Sequence, residues 1–182
     1  MTATATRHTI FKTRWGHFAF ICRGDSVCRT LLPVGGRTTA RLALLAGHAS
    51  PASDIPYEKD LCRGLQQRII AYFEGENVDF STDPAVDLAG FSAFQQAVLA
   101  ACRRIGPGRT RTYGELAADA GHDKAARAVG GAMARNPVPL IVPCHRVVQA
   151  GGGLGGFSAI GGTTLKQRML LHERQVAGSK GA

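Results

Sequence analysis

The stretch Thr112-Tyr113-Gly114-Glu115-Leu116-Ala117-Ala118-Asp119-Ala120-Gly121-His122-Asp123-Lys124-Ala125-Ala126-Arg127-Ala128-Val129-Gly130-Gly131-Ala132 decides the fold of the second half of the chain. Thr112, followed three residues later by Glu115, is a capping box, in which each side chain satisfies an orphan backbone N–H at a helix start. It predicts a short helix to about Ala120. Gly121-His122 turns the chain, and Asp123 is expected to cap a further helix running to about Arg135. Two short helices across a Gly-containing turn make a helix-turn-helix candidate. Within Ala125-Ala126-Arg127-Ala128-Val129-Gly130-Gly131-Ala132 of the second, Arg127 is the one long cation among residues of minimal bulk. Residues of so little bulk permit close approach to another surface. That surface could be a DNA groove with Arg127 projecting inward, or a tightly packed neighbouring helix.

Working upstream, Ser92-Ala93-Phe94-Gln95 is a second capping box and opens a helix through Arg104, stopped by Gly106-Pro107-Gly108. The first half mixes element types. His17 to Cys22 reads as a strand, Arg23-Gly24-Asp25-Ser26 as a turn, and Val27 to Leu32 as a second strand ended by Pro33. Arg37 to His48 is a predicted helix. Tyr57 to Phe73 is another, with Leu61, Leu65, Ile69 and Tyr72 at helical spacing. Acidic residues, Pro84 and Gly90 make 74–90 a linker. The expected fold class is α/β of the α+β kind: an N-terminal α+β domain over 1–90, then a mostly helical domain over 91–182.

Composition narrows the class of protein. Of 182 residues, 45% are hydrophobic and 19% charged, as in ordinary globular proteins. No apolar run approaches the ~20 residues of a membrane-spanning helix, so no membrane partner is expected. The opening Met1-Thr2-Ala3-Thr4-Ala5-Thr6 lacks the basic and apolar regions of a secretory signal, which implies a cytoplasmic protein, or a nuclear one in a eukaryote. Residues 1–90 hold ten Lys/Arg against nine Asp/Glu, and residues 91–182 twelve against four, so nearly all of the net charge of +9 lies in the second half. That asymmetry suits a phosphate-rich partner. The five cysteines, Cys22, Cys28, Cys62, Cys102 and Cys144, form no Cys-x-x-Cys pair and argue against a disulfide framework. Cys22 and Cys28 near His17 have no standard metal spacing, and no metal is expected.

Pro137, Pro139 and Pro143 are expected to hold 136–143 in extended backbone, with Val138, Leu140, Ile141 and Val142 apolar enough to be buried. Cys144 would then leave a stiff segment. A thiol attacks as its thiolate, which needs a cation, a hydrogen-bond donor or a base nearby. His145 and Arg146 follow at once, although neighbours in sequence need not touch.

The run Asn136-Pro137-Val138-Pro139-Leu140-Ile141-Val142-Pro143-Cys144-His145-Arg146-Val147-Val148 resembles the active-site signature of the O6-alkylguanine-DNA alkyltransferases. Thr112-Tyr113-Gly114-Glu115-Leu116-Ala117 and Ala125-Ala126-Arg127-Ala128-Val129-Gly130 resemble that family's helix-turn-helix. Gly156-Phe157-Ser158 with Gly161-Gly162, Lys166, Leu170-Leu171 and Glu173 resembles its closing loop and last helix. The likeness spans about 91–174; the first half matches only in layout.

The resemblance implies a single-turnover repair protein, a methylated-DNA–protein-cysteine methyltransferase without a cofactor, probing double-stranded DNA as a monomer. It would flip an O6-alkylguanine out of the duplex and transfer the alkyl group to Cys144, with O4-alkylthymine left open as a second lesion. His145 would act through a water as the base, held by Glu173, and Asn136 would fix the turn beside the thiol. Tyr113 would help rotate the nucleotide and donate to the guanine, while Arg127 fills its place in the stack. Phe157 would wall the pocket, Ser158 would donate to O6, and the Val147 carbonyl would accept from the exocyclic amine. Thr112, Tyr113, Ala125, Ala126, Arg127, Gly130 and Arg135 would contact DNA. Leu99, Arg109, Phe157 and Ile160 depart from the residues common at those positions in the family, which bears on pocket breadth. The main alternative is a non-catalytic helix-turn-helix sensor of alkylated DNA; a plain regulator and a Cys-His hydrolase are the others.

Overall fold

The computed structural model describes residues 5–46 and 55–178. The chain divides into two compact units: residues up to Val78 with Pro84–Asp87, and Asp79–Asp83 with residues from Leu88 onward.

The first unit is built on an antiparallel sheet of three strands in the order β1 (Thr6–Thr13), β2 (Gly16–Arg23) and β3 (Ser26–Val34). Gly16 closes the first hairpin at φ +130, where an added Cβ would lie 2.5 Å from the Val34 carbonyl oxygen. The central strand is buried on both faces, which explains its continuous apolar run. Ala19 and Ile21 join Ile10, Val34 and Ile55 beneath Ala40 and Leu44 of α1 (Arg37–Leu45). Alternate residues supply the opposite face, where the Phe18 ring lies 6.1 Å from Phe73 of α2 (Arg63–Glu74) and 5.7 Å from Phe11. Phe18 and Phe20 are fully buried, each contributing about 1.5–3 kcal/mol.

Pro33 does not end its strand: β3 runs to Val34, because it is an edge strand with irregular register where Pro33 falls, so a missing N–H costs little. The helix expected from Tyr57 begins only at Arg63. Residues 56–58 are drawn alongside β1, with the His8 N–H donating to the Pro56 carbonyl (3.0 Å) and the Glu58 N–H to the His8 carbonyl (2.8 Å). Cys62 then adopts φ +47, which no helix continues through. His48, the expected end of the preceding helix, lies outside the described residues; α1 itself stops at Leu45. All five cysteines are free, although the Cys22 and Cys62 sulfurs stand 3.7 Å apart.

The second unit holds α3 (Ala93–Arg103), β4 (Arg111–Thr112), α4 (Tyr113–Asp119), α5 (Ala126–Ala134), a single 3-10 turn at Cys144–Arg146, β5 (Val147–Val148) and α6 (Gly162–Gly178). Both capping boxes form as the sequence predicts, on Ser92 with Gln95 and on Thr112 with Glu115. Asp123 does not cap α5. Lys124 takes φ +64, so the chain turns once more and Ala125 becomes the N-cap. Val98, Leu99 and Cys102 of α3, Leu116 and Ala117 of α4, and Val129 and Ala132 of α5 are all buried, the inward faces of a small helical core. The short parallel pair β4–β5, with Arg111 opposite Val147 and Thr112 opposite Val148, ties the start of α4 to the reactive segment. The mixture of one small antiparallel sheet and several helices is the α+β class read from the sequence.

Candidate active site

The proline-bounded segment is not the extended rod expected of it. Leu140 takes φ +80, and the Val142 N–H returns to the Val138 carbonyl at 2.9 Å. The backbone therefore folds into a tight turn, with Val138, Leu140, Ile141 and Val142 buried beneath it. Asn136 closes this turn from both sides: its Nδ2 donates to the Val142 carbonyl at 2.8 Å, and its Oδ1 accepts from the Val138 N–H at 3.1 Å. Apolar burial has overridden the stiffness of the prolines, because the turn both sequesters four large side chains and pairs the amides they carry.

Cys144 opens the 3-10 turn that follows and is 7% exposed. Burial pushes its thiol up, against the opposing pull of the Asn136 side chain, the Lys166 charge and the N–H groups of Cys144 and His145. The resting group is a thiol, so attack requires that its proton be taken.

His145 lies behind it with no exposure, and its Nε2 is 2.7 Å from Glu173 Oε1 on α6. Burial lowers the imidazole's pKa, more than its bond to Glu173 raises it. A neutral ring with Nε2–H donating to the carboxylate leaves the Nδ1 lone pair free. Nδ1 is buried and has no partner among the described residues. Burial would raise Glu173, but the hydrogen bonds and charges of His145 and Arg146 outweigh it and hold the carboxyl well below the ordinary carboxylate range.

Arg146 is what makes a buried anion tolerable. Its Nε and Nη2 reach Glu173 at 2.9 and 2.8 Å, and its Nη1 donates to the Ile105 carbonyl. The Gly108 N–H adds a further donor to Glu173 Oε2 at 3.1 Å. Sequence reasoning used Arg146 only as a nearby charge. A better signal was available: an arginine set within Val142, Val147 and Val148 must be buried, and a buried cation needs a carboxylate. Lys166 was also assigned no role. It is fully buried in α6, and its Nζ donates to the Val147 carbonyl at 2.6 Å and lies 3.4 Å from the Gly156 carbonyl.

In front of the thiol lies a cavity of about 370 Å³, lined by Tyr113, Gly130, Met133, Cys144, Phe157 and Ser158 among others. Burial raises the Tyr113 pKa, so its hydroxyl remains a proton donor. Gly155 permits this packing, since an added Cβ would lie 2.7 Å from the Tyr113 hydroxyl. Gly130 and Ala134 of α5 line the cavity. Arg127, exposed, stands on the same helical face one turn before Gly130, at the i, i+3, i+7 spacing. Ala125 and Ala126 sit half-buried at the start of that helix, and Arg135 is exposed at its end. The Thr112 hydroxyl is engaged at its cap, accepting from the Glu115 N–H at 3.1 Å.

Residues 93–175 match the family model described as the 6-O-methylguanine DNA methyltransferase DNA-binding domain. The methylated-DNA–protein-cysteine methyltransferase of Mycobacterium leprae is 40% identical in an alignment of 148 positions that covers 73% of this chain and 87% of that protein. The chain belongs to the methylated-DNA–protein-cysteine methyltransferase family. The relative from Mycolicibacterium paratuberculosis is 46% identical over 62% of this chain, a match spanning 65% of the relative's length. Among solved structures, the Mycobacterium tuberculosis protein of this family in complex with DNA superposes with a TM-score of 0.75 at 30% identity. That alignment covers 93% of this chain and 94% of the other. Family membership and the buried cysteine, histidine and glutamate thus rest on independent observations.

Proposed function

We propose that this protein repairs O6-alkylguanine in duplex DNA by moving the alkyl group irreversibly onto Cys144, once per molecule. The observation that carries this reading is the arrangement at His145. Its Nε2 is fixed by Glu173 at 2.7 Å while Nδ1 is buried without a partner among the described residues, and Cys144, the residue before it, is kept protonated by burial. A water at Nδ1 would take the thiol proton as Sγ attacks the alkyl carbon in line with the C–O bond. The new S–C bond forms as the C–O bond breaks, and the bond pair leaves on O6. A proton delivered to the guanine, with Tyr113 as donor, leaves neutral guanine in the strand. The product is a thioether that water does not cleave, so turnover stops.

The remaining roles follow the cavity. Phe157 and Ser158 lie where a flipped base would enter, with Ser158 available to O6. The Val147 carbonyl, which already accepts from Lys166, would take the exocyclic amine on its second lone pair. Arg127, one turn from the cavity, is suited to replace the extruded base, and the small residues Ala125, Ala126 and Gly130 with Thr112, Tyr113 and Arg135 form the surrounding DNA surface. No helix of the described residues is long and apolar enough to cross a membrane. We place the protein as a monomer wherever the cell keeps its DNA. A sensor that binds lesions without reaction is disfavoured by a thiol that lines the cavity.

Radiolabelled O6-methylguanine duplex should transfer one equivalent of methyl to Cys144. Cys144→Ala should bind the same duplex and take no label. Wild-type protein that stays unlabelled on verified substrate would refute the reading. Arg127→Ala should slow repair of duplex far more than reaction with the free base; equal losses would remove the base-replacing role.

A further inference from the structure

The second unit carries another recess, of about 460 Å³, that the alkyl-transfer reading does not use. Arg104 at the end of α3, Ile105, Gly106 and Arg109 in the following loop, Arg111 of β4 and Asp119 of α4 line it. Three guanidinium groups face a single carboxylate. Asp119 Oδ2 takes Arg111 Nε at 3.2 Å, and its backbone carbonyl takes Arg104 Nη2 at 3.3 Å. Among the described residues the guanidinium of Arg109 is bonded to nothing. Two of the three cations are therefore uncompensated. Exposed guanidinium forks with this excess of charge match the oxygens of a phosphate.

We propose that this recess binds a backbone phosphate of duplex DNA, a contact separate from the helix-turn-helix surface; it rests on the DNA-repair reading above. Position favours DNA over a free anion. Tyr113 and Asp119 stand at opposite ends of α4, six residues apart, or about 9 Å at 1.5 Å per residue. One strand offers a phosphate about every 3.4 Å along the duplex axis. The recess thus lies within a few phosphates of the base that Tyr113 would handle. Arg104, Arg109, Arg111 and Asp119 are all exposed, which suits a polyanion passing across the surface rather than an enclosed small molecule. With only guanidinium donors, the contact would be indifferent to sequence.

The test is fluorescence anisotropy with labelled duplex across a salt series, comparing wild type with the double variant Arg104→Ala, Arg109→Ala. Arg111 is retained because it pairs with Asp119. The plot of log K against log salt should become shallower by about 0.9 for one lost phosphate contact. Affinity at low salt should fall several-fold, and equally for undamaged and O6-methylguanine duplex. Methyl transfer from the free base should be unchanged, which also shows that the loop holding Arg146 and Glu173 is intact. An unchanged slope in a variant with intact free-base transfer overturns the proposal. So does weakened binding of inorganic phosphate, by calorimetry, with duplex binding unaltered. Should the double variant misfold, Arg109→Gln alone must still show a shallower slope. Wild-type protein that binds duplex but accepts no methyl group would sink the repair reading and leave this one standing.

Discussion

Replacing Arg146 by Met isolates the electrostatic contribution of one buried ion pair. Arg146 and Glu173 are 2% and 3% exposed, and the substitution removes the guanidinium while roughly preserving side-chain volume. Glu173 would lose the guanidinium and retain its bonds to His145 and the Gly108 N–H, and the Ile105 carbonyl would lose the Arg146 donor. Breaking a buried pair from one side costs about 3–5 kcal/mol, because the surviving charge remains desolvated. For a chain of this size each kcal/mol moves the melting temperature by about 2–4 °C, so Tm should fall by about 6–20 °C. The pH dependence gives the sharper check. In the wild type the Glu173 carboxyl is depressed, so its stabilisation is fully present above the unfolded carboxyl pKa of about 4.3 and is lost as pH falls below that. In the variant burial dominates, and the folded site takes up a proton above that pKa, whether on Glu173 or on His145. The deficit between the two proteins must therefore be widest near pH 7 and narrower near pH 5. Urea unfolding at both pH values measures it. A deficit below about 1 kcal/mol at pH 7, or one of equal size at pH 5, would refute the account of Arg146 as the compensating charge.

Three further outcomes are expected. Asn136→Ala unpairs the Val138 N–H and the Val142 carbonyl and should cost about 1–3 kcal/mol. It also withdraws a hydrogen bond that lowers the Cys144 pKa, so the midpoint of a pH profile of thiol alkylation should move upward; a downward shift would contradict this. Because burial keeps His145 neutral, the rate of free-base methyl transfer should be level around pH 7 and decline only below the ordinary histidine range; a rate that already falls between pH 8 and pH 7 would contradict a neutral His145. Gly155→Ala meets both a φ of +70 and the Tyr113 hydroxyl 2.7 Å from the new Cβ, and should cost about 1–3 kcal/mol with impaired repair; unaltered melting and activity would show that Tyr113 moves freely.

What the sequence determined by itself is local. Ser92 with Gln95 and Thr112 with Glu115 placed the starts of α3 and α4, because a capping box satisfies backbone groups within four residues and needs no distant partner. The loose alternation over His17 to Cys22 marked a strand, since successive side chains on extended backbone point to opposite faces, and the motifs around Cys144 resemble the family's active-site signature. Where long-range contacts compete with local preference, the tertiary structure decided. Residues 56–58 pair with β1 and Cys62 turns left-handed, Pro33 survives in an edge strand, and the proline-bounded segment folds into a turn closed by Asn136. Cys144 does not leave a stiff rod. It sits instead on a folded turn, and its neighbour His145 is oriented by Glu173, 28 positions away, under the charge of an arginine given no such task. No spacing rule encodes that arrangement. It exists because a buried carboxylate must collect its donors from wherever the fold brings them.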